Sequence, residues 1–337
     1  MSHDMELTAK ALVADGRGIL AADESFPTIE KRFKSINIPS TEDNRRDYRQ
    51  MLFATPGSGR FISGAILFDE TLRQKTSDGR SMVELLNASG IIPGIKVDCG
   101  AKPMAGHPNE KVTEGLDGLR DRLAEYFQLG ARFAKWRAVI TIGDGIPSQG
   151  CLEANAHALA RYASLCQEAS IVPIVEPEVL MDGDHDLARC EAVTTAALDL
   201  VFGQLKAQNV RLEAMLLKPN MVISGKAASQ RADVETVAKA TVRTLLRCVP
   251  AAVPGIVFLS GGQTPTEATA HLDAMNKLGS FPWKLSYSYG RALQEPALNA
   301  WAGQADHVEK AQRVFHHRAE CNSKASLGTY SPAMETA

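Results

Sequence analysis

The chain has 337 residues, 45% of them hydrophobic and 23% charged, with a formal net charge of −2. That length fits one large α/β domain or two ordinary ones, and the composition is ordinary for a soluble globular protein. The near-neutral balance offers no basic footprint for nucleic acid, and no apolar run approaches the ~18 residues of a membrane span.

The opening segment, MSHDMELTAK, has no hydrophobic stretch of the secretory kind. Six cysteines (Cys99, Cys151, Cys166, Cys190, Cys248, Cys321) are scattered without a Cys-x-x-Cys pair or a zinc spacing. This usage suggests reduced thiols in a cytoplasmic compartment and calls for no metal.

Eight short apolar runs follow one another at 18–23, 64–69, 91–98, 133–139, 171–178, 214–219, 255–261 and 283–289. Each closes on polar or Gly-rich residues and reads as a buried β-strand. Amphipathic helical patterns lie between most of them. Over 147–169, Leu152, Ala156, Leu159, Ala163 and Cys166 recur at steps of three and four. Over 184–207, Leu187, Val193, Ala197, Leu200 and Leu205 do the same. Thr264-Pro265-Thr266-Glu267 has the form of a capping box with Pro at the first helical position. Strands alternating with helices predict an α/β fold, a single-domain (β/α)8 TIM barrel over 1–337, with 319–337 as a mobile C-terminal tail. A doubly wound sheet would carry a Gly-x-Gly-x-x-Gly turn after its first strand, and none is present.

In such a barrel the chemistry belongs at the C-terminal ends of the strands. Those ends are rich in ionisable residues: Asp23 and Glu24, Lys96 and Asp98, Lys135 and Arg137, Glu176 and Glu178, and Lys218. Residues two apart on a strand share a face, so each of the pairs 96/98, 135/137 and 176/178 points two groups to one side. Lys218 closes the apolar run Ala214-Met215-Leu216-Leu217. A Lys drawn out of water favours its neutral, nucleophilic form, whose natural target is a ketone or aldehyde. Lys135 beside it would add like-charge repulsion. Glu176 is placed to shuttle protons, and Asp23 to take one from a hydroxyl. Structural salt bridges between strands would account for any one of these residues, but poorly for their clustering at ends of one polarity.

Two Gly-rich strand ends, Ser260-Gly261-Gly262 and Ser288-Tyr289-Gly290-Arg291, have the form of an anion seat. Arg32 and Arg137 could hold a second anion through their bidentate forks, although Arg32 alone reads as a solvated helix residue. The Gly-rich stretch 54–60 lacks the Lys-Ser/Thr of a P-loop. His185 reads as part of a loop and helix cap rather than a metal ligand, and the adjacent His316 and His317 read as surface.

Leu20-Ala21-Ala22-Asp23-Glu24-Ser25, Gly94-Ile95-Lys96-Val97-Asp98, Phe133-Ala134-Lys135-Trp136-Arg137, Val175-Glu176-Pro177-Glu178, Leu217-Lys218-Pro219-Asn220-Met221, Leu259-Ser260-Gly261-Gly262-Gln263 and Ser288-Tyr289-Gly290-Arg291 together resemble class I fructose-bisphosphate aldolase. The resemblance runs from about Leu7 to Tyr330, and seven such motifs in order are specific. It implies reversible cleavage of fructose 1,6-bisphosphate to dihydroxyacetone phosphate and glyceraldehyde 3-phosphate. It implies Lys218 as the Schiff-base lysine, Glu176 as general acid/base, and Asp23, Lys135 and Glu178 as their partners. Ser260, Gly261, Gly262, Ser288, Gly290 and Arg291 match the C1-phosphate site, and Arg32, Lys96 and Arg137 match groups near the C6-phosphate. The resemblance further implies a homotetramer with no cofactor and no metal, and a sugar bisphosphate as its partner rather than nucleic acid or membrane. Familiar eukaryotic members end in a tyrosine that assists proton exchange on the enamine. Here Tyr330 is the only tyrosine of the tail, and it lies short of the end.

Overall fold

The computed structural model describes residues 2–336. Ten strands are present among them: β1 (Gly18–Ala22), β2 (Ile62–Leu67), β3 (Ile92–Lys96), β4 (Ala101–Pro103), β5 (Lys111–Thr113), β6 (Phe133–Ile140), β7 (Val172–Val179), β8 (Leu216–Leu217), β9 (Gly255–Phe258) and β10 (Lys284–Tyr289). Eight of them close a barrel in the order β1-β10-β9-β8-β7-β6-β3-β2, every pairing parallel. The fold is the (β/α)8 barrel that the alternating pattern predicts. Both faces of each barrel strand are covered, one by the barrel interior and one by helices. That is why the runs read as continuously apolar rather than alternating.

Two packing layers result. Ile19, Ala21, Ile66, Phe133, Val172, Ile174, Leu216 and Val257 form the interior layer. Met5, Ala9, Leu12 and Val13, from and just beyond the helix Ser2–Leu12, pack onto it. Gly94 makes room for this filling, since a Cβ there would lie 2.3 Å from Cζ of Phe133. The larger outer layer joins strands to helices through Trp136, Tyr162, Tyr287, Tyr289 and Phe258.

Several helices begin at side-chain caps, the one at Thr264 as the sequence predicts. Ser148, Asp186, Asp233 and Thr264 each accept a backbone N–H at their helix start, and Thr264 with Glu267 completes the capping box. The segment 319–337, expected as a tail, enters the body for its first part. Residues 319–326 are the last turns of the helix Val308–Ser326, with Ala319, Cys321, Asn322 and Ala325 buried. A short 3-10 segment, Pro332–Thr336, follows. Met1 and Ala337 lie outside the described residues. Among the described residues, no helix is long and apolar enough to cross a membrane.

Candidate active site

Strand parity decides which side chains reach the barrel axis. On β1, Ile19 and Ala21 belong to the interior layer, while Leu20 and Ala22 belong to the outer one. The same division separates Phe133 from Ala134 and Trp136, Ile174 from Val175, and Leu216 from Leu217. Carrying the inward parity toward the C-terminal ends gives Asp23, Lys135, Arg137, Glu176, Glu178 and Lys218. On β3, Ile92 packs on the interior layer, so Lys96 and Asp98 follow it inward. All eight residues line one cleft of about 340 Å³ at the barrel mouth.

Within the cleft the charges alternate. Lys218 Nζ lies 3.3 Å from Glu176 Oε1. Lys135 Nζ lies 3.4 Å from Glu176 Oε2 and 2.7 Å from Asp23 Oδ2. Lys218, Glu176 and Lys135 are only 4%, 3% and 3% exposed. Charges this deep persist only when paired, and the row Lys218–Glu176–Lys135–Asp23 pairs them in sequence. Burial pushes the Asp23 carboxyl up, but Lys135 and Lys218 outweigh it and hold Asp23 well below the usual carboxylate range. Burial likewise pulls Lys135 down, but Asp23, Glu176 and Asp98 override it and hold the ammonium above the usual lysine range. Near neutral pH, Lys135 is therefore a fixed cation and Asp23 a fixed anion. The two amines expected to repel one another have Glu176 interposed between them.

A second row of charges lies beside the first. Arg137 pairs with Glu178. Burial draws the guanidinium down, but Glu178 overcomes this and holds it above its ordinary range. The Arg137 backbone N–H donates to Asp98 Oδ2 at 3.2 Å. Lys96 Nζ lies 2.8 Å from Asp98 Oδ1 and donates to the Asp98 carbonyl at 2.7 Å. Sheet register sets these neighbours, with Lys96 beside Lys135 and Arg137 beside Glu176.

Arg32 is not the solvated helix residue that its local sequence suggests. It pairs with the buried Glu24, whose other oxygen accepts from Arg49 Nη2 at 3.1 Å. Gln294 Nε2 donates to Glu24 at 2.8 Å, and Tyr48 donates its hydroxyl to Gln294 at 3.1 Å. Arg49, Gln294 and Tyr48 carry no motif in the sequence. They converge on Glu24 only through tertiary packing of the helices Glu42–Phe53 and Arg291–Trp301.

Ser260, Gly261, Ser288 and Gly290 line the same cleft. Ser288 Oγ is buried with no hydrogen-bond partner, a hydroxyl left for something that enters the cleft. At Gly261 a Cβ would lie 3.0 Å from Glu178 Oε1. Gly262 and Arg291 do not line the cleft. Gly262 supports it from behind: its φ is +74°, and a Cβ there would lie 2.0 Å from Met181 Cγ. Arg291 is exposed at the first position of the helix Arg291–Trp301 and makes no ion pair among the described residues. Tyr330 also stands outside the cleft. Its N–H donates to Asp273 Oδ1 at 2.9 Å and its hydroxyl to Glu335 Oε1 at 2.8 Å.

Known proteins resemble this chain over nearly its whole length. The family model for fructose-bisphosphate aldolase class-I matches residues 4–337. The probable fructose-bisphosphate aldolase class 1 of Xanthomonas axonopodis pv. citri is 59% identical over 324 residues, covering 96% of this chain and 97% of that one. The cytosolic fructose-bisphosphate aldolase 4 of Arabidopsis thaliana is 52% identical over 330 residues, covering 98% and 84%. A solved structure of the Plasmodium falciparum fructose-bisphosphate aldolase, in complex with TRAP and a small-molecule inhibitor, superposes with a TM-score of 0.97. It is 51% identical and covers 98% of this chain and 96% of that one.

Proposed function

Because the chain belongs to the class-I fructose-bisphosphate aldolase family, whose members cleave the sugar bisphosphate reversibly through a lysine Schiff base, we propose that Lys218 is that lysine and that the charge row beside it carries the proton transfers. The observation that carries this assignment is a buried lysine at the barrel mouth, 3.3 Å from a buried carboxyl.

The Lys218 amine adds to the C2 ketone of the open-chain sugar. Glu176, within reach of that amine, delivers the proton with which the carbinolamine oxygen leaves as water. The resulting iminium is the electron sink. Asp23, kept ionised by Lys135, takes the C4-hydroxyl proton as the C3–C4 bond breaks. The bonding pair moves into the iminium, leaving an enamine on Lys218 and releasing glyceraldehyde 3-phosphate. Protonation at C3 and addition of water then free dihydroxyacetone phosphate and the lysine. Preorganised charge of this kind needs little rearrangement during reaction. Glu178 serves by fixing Arg137.

The C1-phosphate falls to Ser260, Gly261, Gly262, Ser288, Gly290 and Arg291, with Gly262 shaping the turn and Arg291 swinging in from the helix start. The C6-phosphate falls to Lys96 and Arg137, on β3 and β6 across the barrel from β9 and β10, together with Arg32. The unpartnered Ser288 hydroxyl supports the first seat and the Glu24 network supports the second. A cytoplasmic homotetramer is the matching cellular form. The cytosolic Arabidopsis relative supports the compartment, and a monomer in sedimentation at working concentration would refute the assembly. Lys218→Met tests the assignment: cleavage of fructose 1,6-bisphosphate falls at least about a thousandfold. Activity within tenfold of wild type would remove Lys218 from its role.

A further inference from the structure

The helix Val308–Ser326 carries a second cluster of donor atoms, away from the cleft. His317 and Cys321 are four residues apart and therefore share a face. Cys321 Sγ lies 3.6 Å from His317 Nε2. The carboxylate of Glu335, from the segment Pro332–Thr336, joins them, and the three ligand atoms all lie within 4.8 Å of one another. It is the one such grouping of His, Cys, Asp and Glu among the described residues.

We propose that His317, Cys321 and Glu335 form a binding site for a thiophilic divalent cation of the zinc type, which ties the C-terminal segment to the last long helix.

One edge of the site, from sulfur to nitrogen, matches the ion before any movement. With Zn–S near 2.3 Å and Zn–N near 2.1 Å, a tetrahedral angle sets the S···N edge at about 3.6 Å, the separation found here. A ligand set of one sulfur, one nitrogen and one oxygen suits zinc and its neighbours rather than magnesium or calcium. Three protein ligands leave a fourth position for water.

The third ligand is held from outside. Arg318 Nη1 donates to Glu335 Oε1 at 2.6 Å and to Oε2 at 2.5 Å, and the Tyr330 hydroxyl donates to Oε1 at 2.8 Å. Arg318 is itself buried and anchored on Thr269 Oγ1 at 2.6 Å and on the Pro265 carbonyl at 3.2 Å. Such outer partners orient metal-binding carboxylates. The Cys321 thiol is buried within this grouping. A bound cation converts it to the thiolate, and the displaced proton passes to solvent.

The test is a cobalt(II) titration of the full-length protein, followed by displacement with zinc(II). The expected result is one cobalt per chain with a thiolate-to-metal absorption band, loss of the band on adding zinc, and release of about one proton per metal. Cys321→Ser abolishes the band, and His317→Ala and Glu335→Gln each weaken binding at least about tenfold. Aldol cleavage measured without added metal checks that each variant is folded. Absence of a thiolate band, or a band that survives Cys321→Ser, overturns the proposal. If Cys321→Ser does not fold, undiminished cobalt affinity in the half-buried His317→Ala variant overturns it as well.

Discussion

Lys135→Met removes the charge that the buried row depends on. The ammonium lies 2.7 Å from Asp23 and 3.4 Å from Glu176. Methionine keeps most of the apolar stem, so the change is chiefly electrostatic. The buried Glu176 and the partly exposed Asp23 lose a shared cation, and breaking a buried pair costs about 3–5 kcal/mol. Asp23 relieves part of that by taking up a proton, because burial, which pushes it up, is then opposed mainly by Lys218. In the wild type the folded-state value of Asp23 is depressed below an unfolded value of about 3.9. Its stabilisation is therefore complete above roughly pH 4 and lost only on further acidification. Lys135 is the mirror case. It is held above its unfolded value of about 10.4, so its contribution is full below that pH and lost only in stronger alkali. The variant loses both contributions together, and stability falls across the whole neutral range. With its pKa raised, Asp23 is a poorer anion at the C4 hydroxyl in the proposed mechanism, and kcat/KM drops about 10²–10⁴-fold. Urea unfolding and a pH profile of kcat/KM measure the two effects, with the acid limb moving to higher pH. Unfolding within about 1 kcal/mol of wild type, the scale of an exposed pair, together with an unmoved acid limb would refute the reasoning.

Gly262→Ala places a methyl group against Met181 and forces a positive φ on alanine. The strain is about 1–3 kcal/mol, and the disturbed turn raises KM more than it lowers kcat; an unchanged KM would contradict the role of this turn. His271 Nδ1 donates to Gln263 Oε1 at 2.6 Å, and burial lowers its pKa to about 4. The unfolded chain binds the extra proton between about pH 6.5 and pH 4, so wild-type stability declines through that window by up to about 3 kcal/mol. In His271→Gln the decline flattens, and an unaltered slope in denaturation across those pH values would refute it. Tyr330→Phe loses the bond to Glu335, at about 1 kcal/mol of stability. Its kcat stays within about threefold of wild type, under ~1 kcal/mol of barrier; a larger fall would bring Tyr330 into the reaction.

The sequence made the barrel legible because parallel strands buried on both faces leave continuous apolar runs, and capped amphipathic helices separate them. It also made the inward charges legible, since residues two apart on a strand keep one parity from Ile174 to Glu176 to Glu178. Other features left no such trace. The hairpin β4–β5 has three residues per strand, too few for periodicity to show. The network that holds Arg32 draws Arg49 and Gln294 from helices far apart in the chain, and no local pattern distinguishes a buried arginine from an exposed one. Arg291 sits in a recognisable motif yet outside the cleft, because a motif fixes the backbone turn and leaves a long side chain free. His317 and Cys321 looked unrelated to any metal spacing because the third donor, Glu335, arrives from beyond a turn.

The central claim is that Lys218 becomes covalently bound to the ketone. Incubation with dihydroxyacetone phosphate, reduction with borohydride, and peptide mapping by mass spectrometry test it directly. The account predicts one stable adduct per chain, on Lys218, lost in Lys218→Met. An adduct on a different lysine, or a folded and active protein that traps none, would contradict it.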